Sequence, residues 1–227
     1  MVCPLYLCMT PGEFQTANTL PAYPGWMSCR FSPYGKGLSN LPKEFPTKMM
    51  LMVDDLYPAN GHDPLQIAQE LLGIADRIDC ILLDFQRPDV PLTKKIVDAI
   101  TRALPCPIGI SQHYALPGHP VLIPPVPEDM PFTQYFNKWQ SRELWLEVTT
   151  APLCLEISEN GCCEAESLNF DRPEYFCREL HCHYKILQKD DRFLFLFRRK
   201  PEDINAFCEL VSPFGVTRAI GLRQEFM

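Results

Sequence analysis

The chain has 227 residues, of which 46% are hydrophobic, enough for one large core, and we predict a single domain over residues 1–227. Its net charge of −7, with no basic cluster longer than Arg198-Arg199-Lys200, argues against a nucleic-acid partner. No apolar run approaches the roughly 20 residues of a membrane span. Residues 1–9 contain Pro4 and lack the basic start of a secretory signal, so we expect a cytoplasmic protein without a membrane partner.

The first part of the chain, residues 1–46, is rich in proline and glycine, which interrupt regular structure. It predicts two short strands, 5–9 and 26–31, with no helix between them. An ordinary strand–helix unit takes about 30 residues, so this part is an abbreviated, irregular start.

From residue 47 the pattern becomes regular, with apolar strands alternating with amphipathic helices. One helix begins at the Asp63 cap and Pro64, and the next opens at Asp89 or Pro91. This alternation predicts a parallel sheet with right-handed crossovers. Nine segments are candidates for its strands: 5–9, 26–31, 48–53, 80–85, 107–111, 121–123, 144–148, 193–197 and 217–222.

Between residues 150 and 190 the pattern changes to a period of two. Glu159-Asn160-Gly161 and Lys189-Asp190-Asp191 indicate hairpin turns, and 173–181 predicts a short helix. We therefore expect an antiparallel excursion here. Helices are also predicted at 132–141 and 204–210.

The eleven cysteines do not resemble a disulfide framework, because their number is odd and several lie inside apolar segments. Cys162-Cys163, or Cys177 with Cys182-His183, could in principle bind zinc. However, no CxxC pair occurs, and structural zinc sites usually show such close pairs. We predict reduced thiols and no metal or cofactor.

The segment that is most informative about function lies between Ala75 and Pro88. Cys80–Leu83 is a continuous apolar run, as in strands buried on both faces. Asp84 and Gln86 follow, and with a period of two they point the same way as Leu82. Polar residues at the carboxyl end of a buried parallel strand stand where α/β folds place their ligand sites, although an Asp there is equally suited to capping a turn.

This stretch carries a family resemblance. Asp79 to Gln86 resembles the Asp-x-x-Asp-x-Asp-x-Glu signature on the fourth barrel strand of family 18 glycoside hydrolases, with Asp79 and Asp84 matching its first and third Asp. Leu82 stands in place of the second Asp, and Gln86 stands in place of the catalytic Glu. The resemblance implies a compact, irregular (β/α)8 TIM-barrel-like fold with the antiparallel excursion near 150–190. An open, doubly wound sheet is the alternative, although no glycine-rich phosphate loop follows a strand.

In a barrel the strand exits gather at one mouth, where active sites are built. We predict Asp84 and Gln86 at the catalytic position and further ligand-binding residues around them. These are Asp54, Asp55, Gln112, His113, Tyr114, Glu147 and Arg223, with Glu225 beside the last.

The resemblance implies a carbohydrate partner. In the family the Glu protonates the leaving oxygen, and the Asp at the position of Asp84 orients the acetamido nucleophile. An amide such as Gln86 has no proton to transfer, which favours a glycan-binding pseudo-enzyme. Two alternatives stay open: a hydrolase that uses Asp54, Asp55, Asp84 or Glu147, and an interaction barrel without a sugar function.

Overall fold

The computed structural model describes residues 3–159, 161–165, 172–189 and 191–226. Its fourteen strands are β1 (Leu5–Met9), β2 (Pro24–Phe31), β3 (Leu38–Ser39), β4 (Met49–Asp54), β5 (Ile78–Asp84), β6 (Ile108–Ser111), β7 (Val121–Ile123), β8 (Leu144–Glu147), β9 (Leu153–Ser158), β10 (Gly161–Glu164), β11 (Tyr175–Cys177), β12 (Cys182–Lys189), β13 (Arg192–Arg198) and β14 (Val216–Leu222). The α-helices are α1 (Pro11–Thr16), α2 (Pro64–Leu72), α3 (Pro91–Ala103), α4 (Phe132–Phe136) and α5 (Ile204–Val211).

Eight of these strands form a closed parallel barrel. They follow one another around it in the order β1, β2, β4, β5, β6, β7, β8 and β14, and β14 pairs back onto β1. The apolar strands are buried as their sequences predict, since Cys80 to Leu83 are fully inaccessible. The barrel fold is therefore confirmed, and the open-sheet alternative is wrong.

The helices cover the barrel unevenly. Asp63 caps α2 through a hydrogen bond from Leu65 N at 3.0 Å, as predicted. The expectation of no helix before residue 26 is wrong, because α1 begins with a capping box in which Thr10 and Glu13 satisfy each other's backbone amides. In the described chain, no α-helix lies between β2 and β4 or between β6 and β7.

Alternate residues of the strands fill the barrel interior. The inward cluster comprises Tyr6, Cys8, Met50, Cys80, Leu82, Leu122, Trp145 and Ile220. Trp145 is the largest fully buried side chain and covers Gly109 of β6 so closely that a Cβ there would overlap its ring. Tyr6 donates a hydrogen bond to Asp79. Asp79 lies near the amino end of β5, whereas Asp84 lies at its carboxyl end. The interior is thus a packed core beneath the mouth.

A five-stranded antiparallel sheet is inserted between β8 and α5, in the order β10-β9-β13-β12-β11. The assignment of 193–197 to the barrel is wrong, because β13 pairs antiparallel with β12 and β9. The predicted helix over 173–181 is also wrong, since β11 and a turn occupy that segment. Both predicted hairpin pairings occur, although Asn160 and Asp190 of their turns lie outside the described residues.

A buried ion pair anchors this inserted sheet to the barrel. The Arg199 side chain is 2% exposed and the Glu128 side chain 7%, and Nη1 of the arginine lies 3.0 Å from Oε1 of the glutamate. Arg199 also donates to the backbone oxygens of Val126 and Leu180, and its guanidinium stacks over Phe207 of α5. One side chain therefore ties β13, the segment after β7 and α5 together.

The cysteines of the described residues are all free thiols, and most are buried. Burial raises the pKa of Cys8 and of Cys80 to about 12, so both stay protonated at neutral pH. No described helix is long and apolar enough to cross a membrane.

Candidate functional site at the barrel mouth

Asp84 ends β5, the fourth strand of the barrel in chain order. Because Leu82 lies in the inward cluster, Asp84 two residues later also faces inward, at the mouth. Gln86 Nε2 donates a hydrogen bond to Asp84 Oδ1. Burial raises the pKa of Asp84, and the negative charges of Asp54 and Asp55 act in the same direction. The structure thus brings Asp84 and Gln86 together.

Glu147 ends β8 and reaches the same mouth. It follows the inward Trp145 by two residues, so its carboxyl also points into the barrel above the packed core. Burial raises its pKa to about 7, and the nearby charge of Asp84 contributes to the shift. Close to neutral pH, the mouth therefore holds one carboxyl that takes up and releases a proton.

This shift predicts a pH dependence of stability. A carboxyl whose pKa is higher in the folded than in the unfolded chain holds its proton more tightly when folded, so stability falls as pH rises from about 4.5 to 7. We expect this group to lower the free energy of unfolding by about 3 kcal/mol over that interval. Urea unfolding of the wild type and of Glu147→Gln at pH 5 and pH 8 measures it. The change in unfolding free energy between pH 5 and pH 8 should be much smaller in Glu147→Gln than in the wild type. An equal change in both proteins would contradict a raised pKa of Glu147.

An ion pair occupies the neighbouring part of the mouth. Arg30 of β2 and Asp54 of β4 lie 3.2 Å apart, measured from Nη2 to Oδ2. A β-bulge shifts the register of β2 between Trp26 and Cys29, and Ser28 within it has φ +80°. Bulges often redirect a side chain next to functional sites. Arg30 was not among the predicted residues, and the only signal was a charge inside an otherwise apolar strand.

Asp55 is 4% exposed, and its carboxylate binds backbone amide groups. Its two carboxylate oxygens accept hydrogen bonds from Gln86 N at 2.9 Å and Arg87 N at 3.0 Å. These bonds fix the chain where it leaves β5. Asp55 therefore positions Gln86, and both of its oxygens are already occupied.

Gln112, His113 and Tyr114 form a 3-10 turn after β6. The Tyr114 hydroxyl donates to Arg87 O and accepts from Val90 N, which fixes the connection from β5 to α3. His113 and Tyr114 line a surface groove beside the start of α3, and Gln112 is exposed. The described contacts of Tyr114 therefore place it on the outer side of the β5 exit, away from Glu147.

Arg223 and Glu225 lie on a 3-10 turn after β14. Glu225 accepts hydrogen bonds from the Thr149 hydroxyl and the Thr150 amide at 2.7 and 3.0 Å. It thereby joins the exits of β14 and β8. Among the described residues, none of the ion pairs joins Arg223 to Asp84 or Glu147.

The mouth thus assembles Asp84, Gln86, Glu147 and the Arg30–Asp54 pair. Within the described ranges, no group of three or more His, Cys, Asp or Glu side chains is arranged to hold a metal ion. The arrangement can donate and accept hydrogen bonds and can exchange a proton at Glu147.

Comparison with protein-family models and with curated proteins found no match. Solved structures match the fold. The spore cortex-lytic enzyme SleL of Bacillus cereus is 11% identical with a TM-score of 0.60, covering 99% of this chain and 72% of that one. SleL of Bacillus megaterium is 8% identical, TM-score 0.55, covering 98% and 72%. A chitinase of Chromobacterium violaceum is 9% identical, TM-score 0.56, covering 96% and 93%. The predicted resemblance is confirmed at the level of the barrel fold.

Proposed function

We propose that this chain is a glycan-binding barrel related to the chitinase-like enzymes, and that it does not hydrolyse its ligand by the family 18 mechanism. The observation that carries the proposal is the hydrogen bond from the Gln86 amide to Asp84. It occurs at the end of the fourth barrel strand, where the family signature has its acid.

The loss of hydrolysis follows from the chemistry of these side chains. A general acid needs a titratable proton near the working pH, and an amide has none. Leu82, fully buried beneath Asp84, also removes the carboxylate that the signature places next to it. Gln86 can still hydrogen-bond a glycosidic oxygen, which supports recognition without bond cleavage.

The composition of the mouth supports a carbohydrate ligand. Carboxylates, an amide and a guanidinium suit the many hydroxyl groups of a sugar, which donate and accept in fixed directions. Each of the named groups is partly accessible at the barrel's carboxyl end, the end at which such barrels bind. The solved structures that the fold resembles include a spore cortex-lytic enzyme and a chitinase, which also favours a carbohydrate ligand.

Asp84→Asn tests the binding. Because the substitution removes a mouth carboxylate and keeps the volume, we expect oligosaccharide affinity to fall at least about tenfold. Calorimetry with tetramers of β-1,4-linked N-acetylglucosamine and of β-1,4-linked glucosamine measures it. Glu143→Gln, at the opposite end of β8 with its carboxylate on the Thr217 hydroxyl, is the control with the same charge change. Absence of binding to every saccharide tested would leave an interaction barrel without a sugar function.

A second candidate is a hydrolase that uses Asp84 and Glu147. It is favoured by the pKa of about 7 at Glu147, which suits a general acid. Glycosidase chemistry needs two carboxyl groups about 5 to 10 Å apart. Aryl chitobioside and aryl glucosaminide turnover by the wild type, abolished in Glu147→Gln, would establish this candidate. We expect an inert wild type instead.

A further inference from the structure

Some charged side chains at the mouth lie in an ion pair, and others do not. Arg30 lies against Asp54 at 3.2 Å, so this cation is already engaged. Of the ion pairs among the described residues, none includes Asp84 or Glu147. The side chain of Asp84 accepts a hydrogen bond from the amide of Gln86, and an amide carries no charge.

Asp84 and Glu147 enter the barrel from strands that are three positions apart around it. Each follows a member of the inward cluster by two residues, Leu82 and Trp145 respectively. An eight-stranded barrel is only wide enough for its own side chains, so the two carboxyls lie above the same packed floor. Two like charges held in a partly desolvated site repel each other.

We propose that the mouth selects glycans that carry a free ammonium group, that is, de-N-acetylated hexosamine units, and that Asp84 and Glu147 bind this ammonium between them. The inference rests on the proposed function. It concerns which glycan the same site takes.

Several features favour an ammonium over the neutral acetamido group. An ammonium has three donors, enough for one hydrogen bond to each of the two carboxyls and one to an amide oxygen such as that of Gln86. Burial is the first cause that raises the pKa of both carboxyls, and nearby negative charges add to it, those of Asp54 and Asp55 at Asp84 and that of Asp84 at Glu147. A bound ammonium offsets these negative charges. An acetamido group would leave both carboxyls without a cation and would bring a methyl group beside them, which is unfavourable in a desolvated site.

The other titratable groups around this pair do not supply the missing charge. Asp54 and Asp55, which follow one another at the exit of β4, add negative potential at Asp84. Tyr135 of α4 donates its hydroxyl to Pro124 O, and Cys8 of β1 is held neutral by burial. Apart from Arg30, which is paired with Asp54, the groups named here are therefore neutral or negative.

The test compares two β-1,4-linked tetrasaccharides, one of glucosamine and one of N-acetylglucosamine, by calorimetry at pH 6.5 in 0.15 M salt. We expect the glucosamine tetramer to bind at least about tenfold more tightly. Asp84→Asn and Glu147→Gln should each reduce that ratio towards one, and Glu143→Gln should keep it. Tetralysine serves as a cation without a sugar ring and should bind weakly.

Equal or tighter binding of the N-acetylated tetramer would overturn this inference and leave the proposed function standing. A ratio that stays unchanged in both mouth variants, or tetralysine binding as tight as that of the glucosamine tetramer, would also overturn it. If neither saccharide binds, the proposed function fails and this inference fails with it.

Discussion

Replacing Glu128 by Gln is expected to destabilise the protein by about 3 to 5 kcal/mol, because the substitution leaves the Arg199 guanidinium buried without a counter-charge. The two side chains are 7% and 2% exposed. Burial already lowers the pKa of Arg199 and raises that of Glu128, each partly offset by the charge of the other. The free energy of unfolding from urea titration at pH 7 measures the loss.

The chain offers a matched surface pair as a control. Arg192 and Glu156 also link two elements of the protein, at 3.2 Å, but the arginine side chain is 46% exposed. Exposed pairs contribute about 0 to 1 kcal/mol, so Glu156→Gln should cost little. If both variants lose the same free energy, burial is not what makes the Arg199–Glu128 pair important. The double variant Arg199→Met with Glu128→Met should recover most of the loss.

Asp55→Ala is expected to cost about 3 to 6 kcal/mol of stability and to weaken saccharide binding. The side chain accepts charge-assisted hydrogen bonds from two backbone amides, and such bonds contribute about 1.5 to 3 kcal/mol each. Without them the chain at Gln86 and Arg87 loses its fixed position. Urea unfolding and glucosamine-tetramer calorimetry measure the two effects.

The neighbouring Asp54 gives the comparison for stability. It is more exposed, with its side chain at 23%, and it pairs with Arg30 and accepts a hydrogen bond from one backbone amide, that of Leu56, at 3.0 Å. Asp54→Ala should therefore cost less than Asp55→Ala, at about 1 to 2 kcal/mol. An Asp55→Ala variant as stable as this one, with wild-type affinity, would mean that Asp55 does not position Gln86.

The parallel strands were largely predictable from the sequence because they are buried on both faces, so each reads as an apolar run with polar residues at its end. The segment Phe193–Phe197 has the same appearance, and it was wrongly placed in the barrel. In the structure Leu194 and Leu196 are buried while Phe193 is exposed, so this strand has one covered face. A run of apolar residues in the sequence does not distinguish a strand that is buried on both faces from one that is buried on a single face.

The helix predicted over 173–181 failed for a different reason. Its local pattern suits a helix, but Tyr175 pairs with Tyr184 and their rings lie 5.6 Å apart. Cross-strand pairing decided the local structure here, as tertiary contacts often do. Such a partner cannot be read from a single segment.

The candidate site was predictable where the strand period continues without interruption. Asp84 and Glu147 follow inward residues by two positions, so their placement follows from the alternation. Arg30 was missed because the bulge at Ser28 changes the alternation of β2. Asp55 and Tyr114 are polar residues at strand exits as predicted, but their hydrogen bonds go to the backbone, which sequence alone does not specify.

The closure of the barrel by β14 has a consequence for synthesis on the ribosome. Leu5 pairs with Ala219, so the barrel stays open until β14 has been made. Until then β1 and β8 each present an unpaired edge, and such edges promote association between chains. Among the described residues, the strand pairings of the inserted sheet all lie within 153–198, so this sheet can form before that. A chain whose synthesis ends before residue 216 would therefore contain the folded inserted sheet together with an open barrel that is prone to aggregation.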